Sequence, residues 1–298
     1  MEKKTIKHTD LQVAPINFGG NVFGWTLDEQ QSFDILDQFV AAGFNFIDTA
    51  DTYPWWVNGT GGLSESIIGN WMKARKNRDQ VVIATKVGSH TKEHGYDISR
   101  SHILKSVDAS LQRLNTSHID LYYTHFDEGV TPIEETLGAY DEVIRAGKVR
   151  YIAASNLSAA RVAQSFTIAG DKHLPRYVAL QPHYNLVERQ KFETEYAPLV
   201  KQYELSVFPY WSLAAGFLTG KYRSEEDTNK SVRGGGVKKY MNEKGQAVLA
   251  ALDAVAVKHR SQPATVALAW LLANPLVTAP VVSATNSRQL QTIIDAPA

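Results

Sequence analysis

Four residue types that together can move a proton onto an oxygen stand at or just beyond the ends of three apolar runs. "FNFID" closes on Asp48 and leads to Tyr53, "VVIATK" closes on Lys86, and "IDLYYTH" closes on His125. A carboxylate buried without a partner costs several kcal/mol, so a strand ending in one should face a cation or water. A tyrosine hydroxyl ordinarily titrates near ~10, and an ammonium within ~4–6 Å can lower that by roughly 1 to 3 pH units. Burial opposes the shift by penalising the phenolate. A site that admits substrate stays partly wet, however, so the effect of charge is expected to prevail. On this reading Asp48 keeps Lys86 protonated and aimed, Tyr53 is the proton donor, and His125 offers a second hydrogen bond to an oxygen gaining negative charge.

Each residue alone has an ordinary explanation. Asp48 can cap a turn, Lys86 can be a solvated loop residue, and His125 can be a satisfied core histidine. Ser155 and Asn156, ending "VRYIAAS", can cap the helix that begins near Ser158. Taken singly these explanations are favoured for all but Tyr53. An acid, a phenol, an amine and an imidazole at neighbouring strand ends, taken together, point to a site.

The elements that must position them are strands and helices in alternation. After a hairpin signal ("KTIKH", a turn at Thr9-Asp10, "LQVAP") come eight strand-like runs: "PINFG", "FNFID", "VVIAT", "IDLYYT", "VRYIAAS", "YVALQ", "LSVFPY" and "VTAPVVS". Between them the apolar spacing turns helical, as in Phe33, Leu36, Phe39, Val40 and in Ile103, Val107, Leu111, Leu114, with Gly43 and Gly147 placed as helix stops. The runs are continuously apolar and not alternating, as in a parallel sheet buried on both faces. Eight such alternations predict a (β/α)8 TIM barrel with an N-terminal β-hairpin, a single domain over residues 1–298, and extended loops at the C-terminal face. An open dinucleotide-binding sheet is disfavoured, because neither "NFGGNVFGW" nor "VRGGGVKKY" supplies GxGxxG after a strand. In a barrel the C-terminal strand ends converge on one rim, which adds Gln181 and Tyr210 to the same face.

Composition narrows the partners. Lys plus Arg equal Asp plus Glu at 31 each, so no global field favours nucleic acid or an anionic membrane, and a small molecule is the expected ligand. No apolar run is long enough for a transmembrane helix, and "MEKKTIKHTDLQV" lacks the apolar core of an export signal. With no cysteine, disulfides, thiolate metal sites and thiol nucleophiles are excluded, and cytoplasm is the expected location. His90 and His94 in "SHTKEHGYD" have no adjacent carboxylate cluster, so no metal site is expected there. The insertion "GKYRSEEDTNKSVRGGGVKKYMN" reads equally as a mobile surface loop or as a flap over a ligand.

The ordered blocks "FIDTADTY", "VVIATKVG", "IDLYYTHF", "VRYIAASNLS", "LQPHYNLVER" and "PYWSLAAGFLTGKY" resemble those of the aldo-keto reductase family over nearly the whole chain. The resemblance implies a barrel enzyme that passes hydride from a nicotinamide dinucleotide, usually NADPH with NADH possible, to an aldehyde or ketone. It implies a catalytic tetrad of Asp48, Tyr53, Lys86 and His125, with Ser155, Asn156 and Gln181 holding the carboxamide and Tyr210 stacking on the nicotinamide. "LAAGFLTGK" resembles the pyrophosphate segment, which implicates Leu213, Gly216, Leu218 and Lys221. Where many relatives place a lysine for the 2′-phosphate this chain has Ser283, with Arg288 and Gln289 nearby. Trp211 stands where the family usually has a small residue, and the chain ends soon after "SRQLQTIID", which implies no long carboxyl-terminal specificity loop.

Trp25, Trp55, Trp56 and Phe126 follow strand ends on the catalytic rim and predict an aromatic wall suited to ring-bearing carbonyls, although subunit contact or loop packing explains Trp55 and Trp56 nearly as well. Two other functions remain open. Lys86 could form a Schiff base in a barrel aldolase, which a neighbouring Asp48 disfavours. Some proteins resembling the family instead bind NADP(H) tightly, turn over poorly and report redox state to a partner.

Overall fold

The computed structural model describes residues 2–297. Eight parallel strands form the sheet: Asn17–Gly19 (β1), Phe46–Asp48 (β2), Val82–Val87 (β3), Ile119–Thr124 (β4), Val149–Ser155 (β5), Ala179–Gln181 (β6), Ser206–Val207 (β7) and Val281–Val282 (β8). Seven neighbouring pairs follow the order β8, then β1 through β7. The remaining seam is bridged by backbone bonds from Thr278 N to Val207 O (2.9 Å) and Val281 N to Pro209 O (2.8 Å). The expected (β/α)8 barrel is therefore present, with each predicted strand in its place.

Side-chain alternation divides every strand between two cores. Phe46, Val82, Ala84, Leu121, Tyr123, Ala153, Ala179 and Phe208 pack with one another inside the barrel. Ile47, Ile83, Tyr122, Ile152 and Leu180 point outward against the helices. Two of the helices that flank the site start on side-chain caps and stop on left-handed residues, Asn115 and His173. Ser99 accepts from His102 N to begin Arg100–Leu114, and Ser158 accepts from Arg161 N to begin Ala159–Lys172. Gly43 and Gly147 adopt φ of 92° and 71° just past their helices, as their sequence positions suggest.

The hairpin pairs Lys4 with Val13 and Thr5 with Gln12. It lies across the N-terminal mouth, where Ile6, Leu11 and Val13 join the interior cluster and plug it. Asp10 fixes the plug by accepting two hydrogen bonds from Arg150 Nη2 (both 2.7 Å) and one from the Tyr151 hydroxyl (2.9 Å). Among the described residues no helix is long and apolar enough to cross a membrane.

Candidate active site

Strand register explains why distant polar residues meet. Asp48 is paired with Ala84, and Lys86, two residues on, shares Ala84's inward face. Tyr123 is paired with Lys86, so His125 falls on the same face one step higher, and Ser155 is paired directly with Gln181. The apolar interior thus ends in a polar layer at its C-terminal rim. The backbone carries the pairing past β2, since Thr49 N donates to Ala84 O (2.8 Å) and Asp51 N to Lys86 O (3.1 Å). That extension delivers Tyr53 over the barrel axis. Behind it, buried Glu65 anchors the following helix by accepting from the Thr85 hydroxyl (2.5 Å) and Arg113 Nε (2.7 Å).

Lys86 is wholly buried and donates to Asp48 Oδ2 and to Thr49 O (2.7 Å). Asp48 Oδ1 accepts from Gln181 Nε2 at 2.8 Å. Lys86 Nζ lies 5.0 Å from the centre of the Tyr53 ring. Burial works to lower the lysine's pKa, but Asp48 and Tyr53 outweigh it and raise it above its ordinary value, so the group is a fixed ammonium and not a free amine. The Asp48 carboxyl is pushed up by burial, with Lys86 and Gln181 pulling it back. Tyr53 departs from expectation. Burial raises its hydroxyl above 10, and the downward pull of Lys86 is the smaller effect because Asp48 opposes it. The phenol is therefore held protonated and is not made more acidic.

Burial, reinforced by Lys86 and His90, drives the His125 imidazole well below its ordinary value, so it is uncharged at neutral pH. Its Nδ1 is sealed from solvent with no partner. An orphaned N–H is rarer than an orphaned acceptor, which places the proton on Nε2. The ring meets that of Tyr53 edge-on at 5.6 Å.

These groups open into a cleft of about 1330 Å³, larger than the roughly 300–1,000 Å³ of a single-ligand pocket. Asp48, Tyr53 and His125 line it, while Lys86 lies beneath. Trp25, Trp55, Trp56 and Phe126 also line it, as do Leu213, Gly216, Lys221, Ser283, Arg288 and Gln289. Leu218 does not, because its side chain is buried with Phe217, Tyr222 and Val237. Ser155 and Asn156 line the cleft without capping the next helix, whose cap is Ser158. Asn156 Nδ2 donates to His125 O (2.9 Å), and its Oδ1 accepts from the Tyr210 hydroxyl (2.9 Å). Tyr210 stacks on His183 at 5.3 Å, and burial pushes its hydroxyl up to about 12. The Ser283 hydroxyl donates to Gly19 O (2.6 Å), and Gln289 Oε1 accepts from Thr285 N (2.9 Å). Trp211 stands on the rim, 46% exposed.

Sequence reasoning missed Arg233. The inserted segment folds back through short helical turns at Glu225–Lys230 and Gly234–Tyr240, burying Val237 and Tyr240, and lays residues 230–236 along the cleft. Arg233 reaches inward, stacks over Trp25 at 5.1 Å and donates to Asn21 Oδ1 at 3.3 Å. Among the described residues Arg233, Lys221 and Arg288 have no carboxylate partner, and Asp48, already tied to Lys86, is the one acid lining the cleft. Unpaired cations in a cleft call for an anionic ligand. The residues fit a dinucleotide, with cations along its length, a stackable phenol at Tyr210, and amides at Asn156 and Gln181. The described residues hold no cluster of three His, Cys, Asp or Glu suited to a metal.

The Aldo/keto reductase family profile matches residues 15–298. The chain is 33% identical over 304 residues to "Uncharacterized oxidoreductase YrpG" of Bacillus subtilis, covering 99% of this chain and 91% of that one. It is 32% identical over 322 residues to "Protein tas" of Escherichia coli, covering 99% and 92%. A rice protein named "Probable voltage-gated potassium channel subunit beta" is 30% identical over 302 residues, covering 97% and 89%. With the barrel, the strand-end constellation and this match along almost its full length, the chain belongs to the aldo/keto reductase family.

Proposed function

We propose that this protein, acting as one barrel domain in the cytoplasm, reduces an aldehyde or ketone with a nicotinamide dinucleotide, NADPH in preference to NADH. The observation that supports it is one cleft in which a protonated phenol stands against a fixed ammonium at one end and unpaired cations extend to the other. When bound, the dinucleotide supplies the hydride. Ser155, Asn156 and Gln181 would hold its carboxamide and Tyr210 would stack on the ring. Leu213, Gly216, Lys221 and Arg233 would meet the phosphates, with Leu218 contributing backbone alone. Ser283, Arg288 and Gln289 would face the ribose phosphate.

The chain's own chemistry is a proton transfer. The Tyr53 O–H bond breaks as a new O–H bond forms on the substrate oxygen. Lys86 is then the cation beside the phenolate, and its positive charge, fixed in place by Asp48, costs no reorganisation at that moment. His125 Nε2–H holds the same oxygen. The cleft's aromatic end excludes water and strengthens each of these interactions.

The test is dinucleotide oxidation, followed by absorbance, with NADPH and NADH against aldehydes, ketones and sugars. Turnover of at least one carbonyl, faster with NADPH, is expected. Tight dinucleotide binding without turnover of any carbonyl overturns the proposal. It would favour a second reading, a redox-reporting regulatory subunit, which the names of the rice relative and its Arabidopsis counterpart support.

A further inference from the structure

Two arcs of aromatic rings leave the proton-donating pair and meet at one residue. From Tyr53 the contacts run to Trp56 (5.9 Å), on to Trp55 (6.3 Å) and then to His90 (4.8 Å). From His125 they run to Phe126 (4.8 Å), Tyr96 (5.1 Å) and His90 (4.9 Å). Tyr53 and His125 close the circuit at 5.6 Å. His90 is thus three contacts from the reacting end by either route, at the far side of an aromatic collar whose members Tyr53, Trp55, Trp56, His90, His125 and Phe126 line the cleft, with Tyr96 outside the lining.

His90 is a cleft-lining residue, and no described residue hydrogen-bonds either of its ring nitrogens. Nδ1 is sealed from solvent, leaving Nε2 as the nitrogen the cleft can reach. Of the two tautomers, the one that keeps the proton off the sealed nitrogen avoids an orphaned N–H. Nε2 then presents a donor to whatever fills the collar. A polar group set among aromatic rings orients a ligand more than it tightens it.

Resting on the carbonyl-reduction reading, we propose that His90 is a specificity-determining residue that donates a hydrogen bond to an acceptor oxygen on the substrate, across the ring from its carbonyl. The substrate class is a ring-bearing aldehyde or ketone with an ether, hydroxyl or second carbonyl oxygen at the distal position. The carbonyl oxygen faces Tyr53 and His125, the ring fills the collar, and the distal oxygen meets His90.

The test compares para-methoxybenzaldehyde with para-ethylbenzaldehyde, nearly equal in size, in the wild-type protein and in His90→Phe, which keeps a ring in the collar. Inductive differences between the two aldehydes cancel when the kcat/KM ratio is compared between proteins. The methoxy-over-ethyl ratio should fall by at least about threefold in His90→Phe, the scale of one net hydrogen bond, and His90→Gln should retain part of the preference. A smaller change, or an equal loss on both aldehydes, overturns the assignment. If His90→Phe does not fold, His90→Leu takes its place. If no form turns over either aldehyde, the carbonyl-reduction reading is decided by the wider panel of aldehydes, ketones and sugars. His90 is then judged separately by quenching of tryptophan emission with para-methoxybenzyl and para-ethylbenzyl alcohols, with the same threefold criterion applied to Kd.

Discussion

Gln181 Nε2 donates to Asp48 Oδ1 at 2.8 Å, reaching across the barrel from β6 to β2, while the other oxygen of that carboxylate takes the Lys86 ammonium. Both Asp48 oxygens are thereby committed, and Lys86 is aimed by a clamp drawn from two other strands. Its charge is fixed, but burial of the Tyr53 hydroxyl outweighs its pull and Asp48 opposes it, which is why Tyr53 remains a phenol.

Removing that phenol should be felt in turnover alone. General acids contribute ~10²–10⁴-fold, so Tyr53→Phe should reduce single-turnover rate on that scale while NADPH affinity stays within about twofold. Stopped-flow reduction and a fluorescence titration report the two quantities separately.

The buried ion pair should be cheaper to delete than to break. Lys86→Met alone leaves Asp48 buried beside an apolar chain and should destabilise the fold by about 3–5 kcal/mol. Asp48→Leu combined with Lys86→Met should recover much of that loss in urea denaturation, with activity still absent. A double variant no more stable than the single one would show that the pair is itself the source of stability.

Acid should weaken the fold through buried imidazoles. The folded-state value of His125 is lowered, chiefly by burial, and those of His102, His118 and His183 are lowered for the same leading reason. Below ~6.5 the unfolded chain binds protons that the folded one does not, so stability falls as pH drops, by up to about 1.4 kcal/mol per pH unit for the fully buried His125, the three partly solvated histidines adding less. Urea midpoints between pH 7 and pH 5 should show this slope, and His125→Asn should make it shallower.

Arg233 and Arg288 should divide cofactor affinity between them. Arg233→Met removes a guanidinium with no carboxylate partner and should weaken NADPH and NADH alike, on the order of tenfold. Arg288→Ala should weaken NADPH more than NADH, because only NADPH carries the extra phosphate. Isothermal titration of both dinucleotides with both variants checks the pattern.

The strand ends were legible because a barrel's polar rim follows from where each apolar run stops, and Asp48, Lys86, His125, Ser155 and Gln181 all sit at such stops. The direction of the Tyr53 shift was not legible, since it depends on how completely the tyrosine and its neighbours are desolvated, a property of packing and not of spacing. The burial of the Leu218 side chain was not legible, because Ala214, Ala215 and Gly216 take positive φ, a backbone path that no apolar period announces. Arg233 was hidden in a segment whose glycine-rich composition suits a tethered flap as well as a loose loop. His90 drew attention only as a metal ligand; its place just beyond the β3 end, on the same rim as Trp55, was the overlooked signal.

The plug at the N-terminal mouth closes that end of the barrel. Ile6, Leu11 and Val13 stopper the barrel from below, and the Asp10–Arg150 clasp holds the stopper shut. If the protein binds a dinucleotide as proposed, cofactor, substrate and product would pass the rim that residues 230–236 overhang. The dwell time of such a dinucleotide would then be a property of that overhang, tunable there without touching the chemistry below.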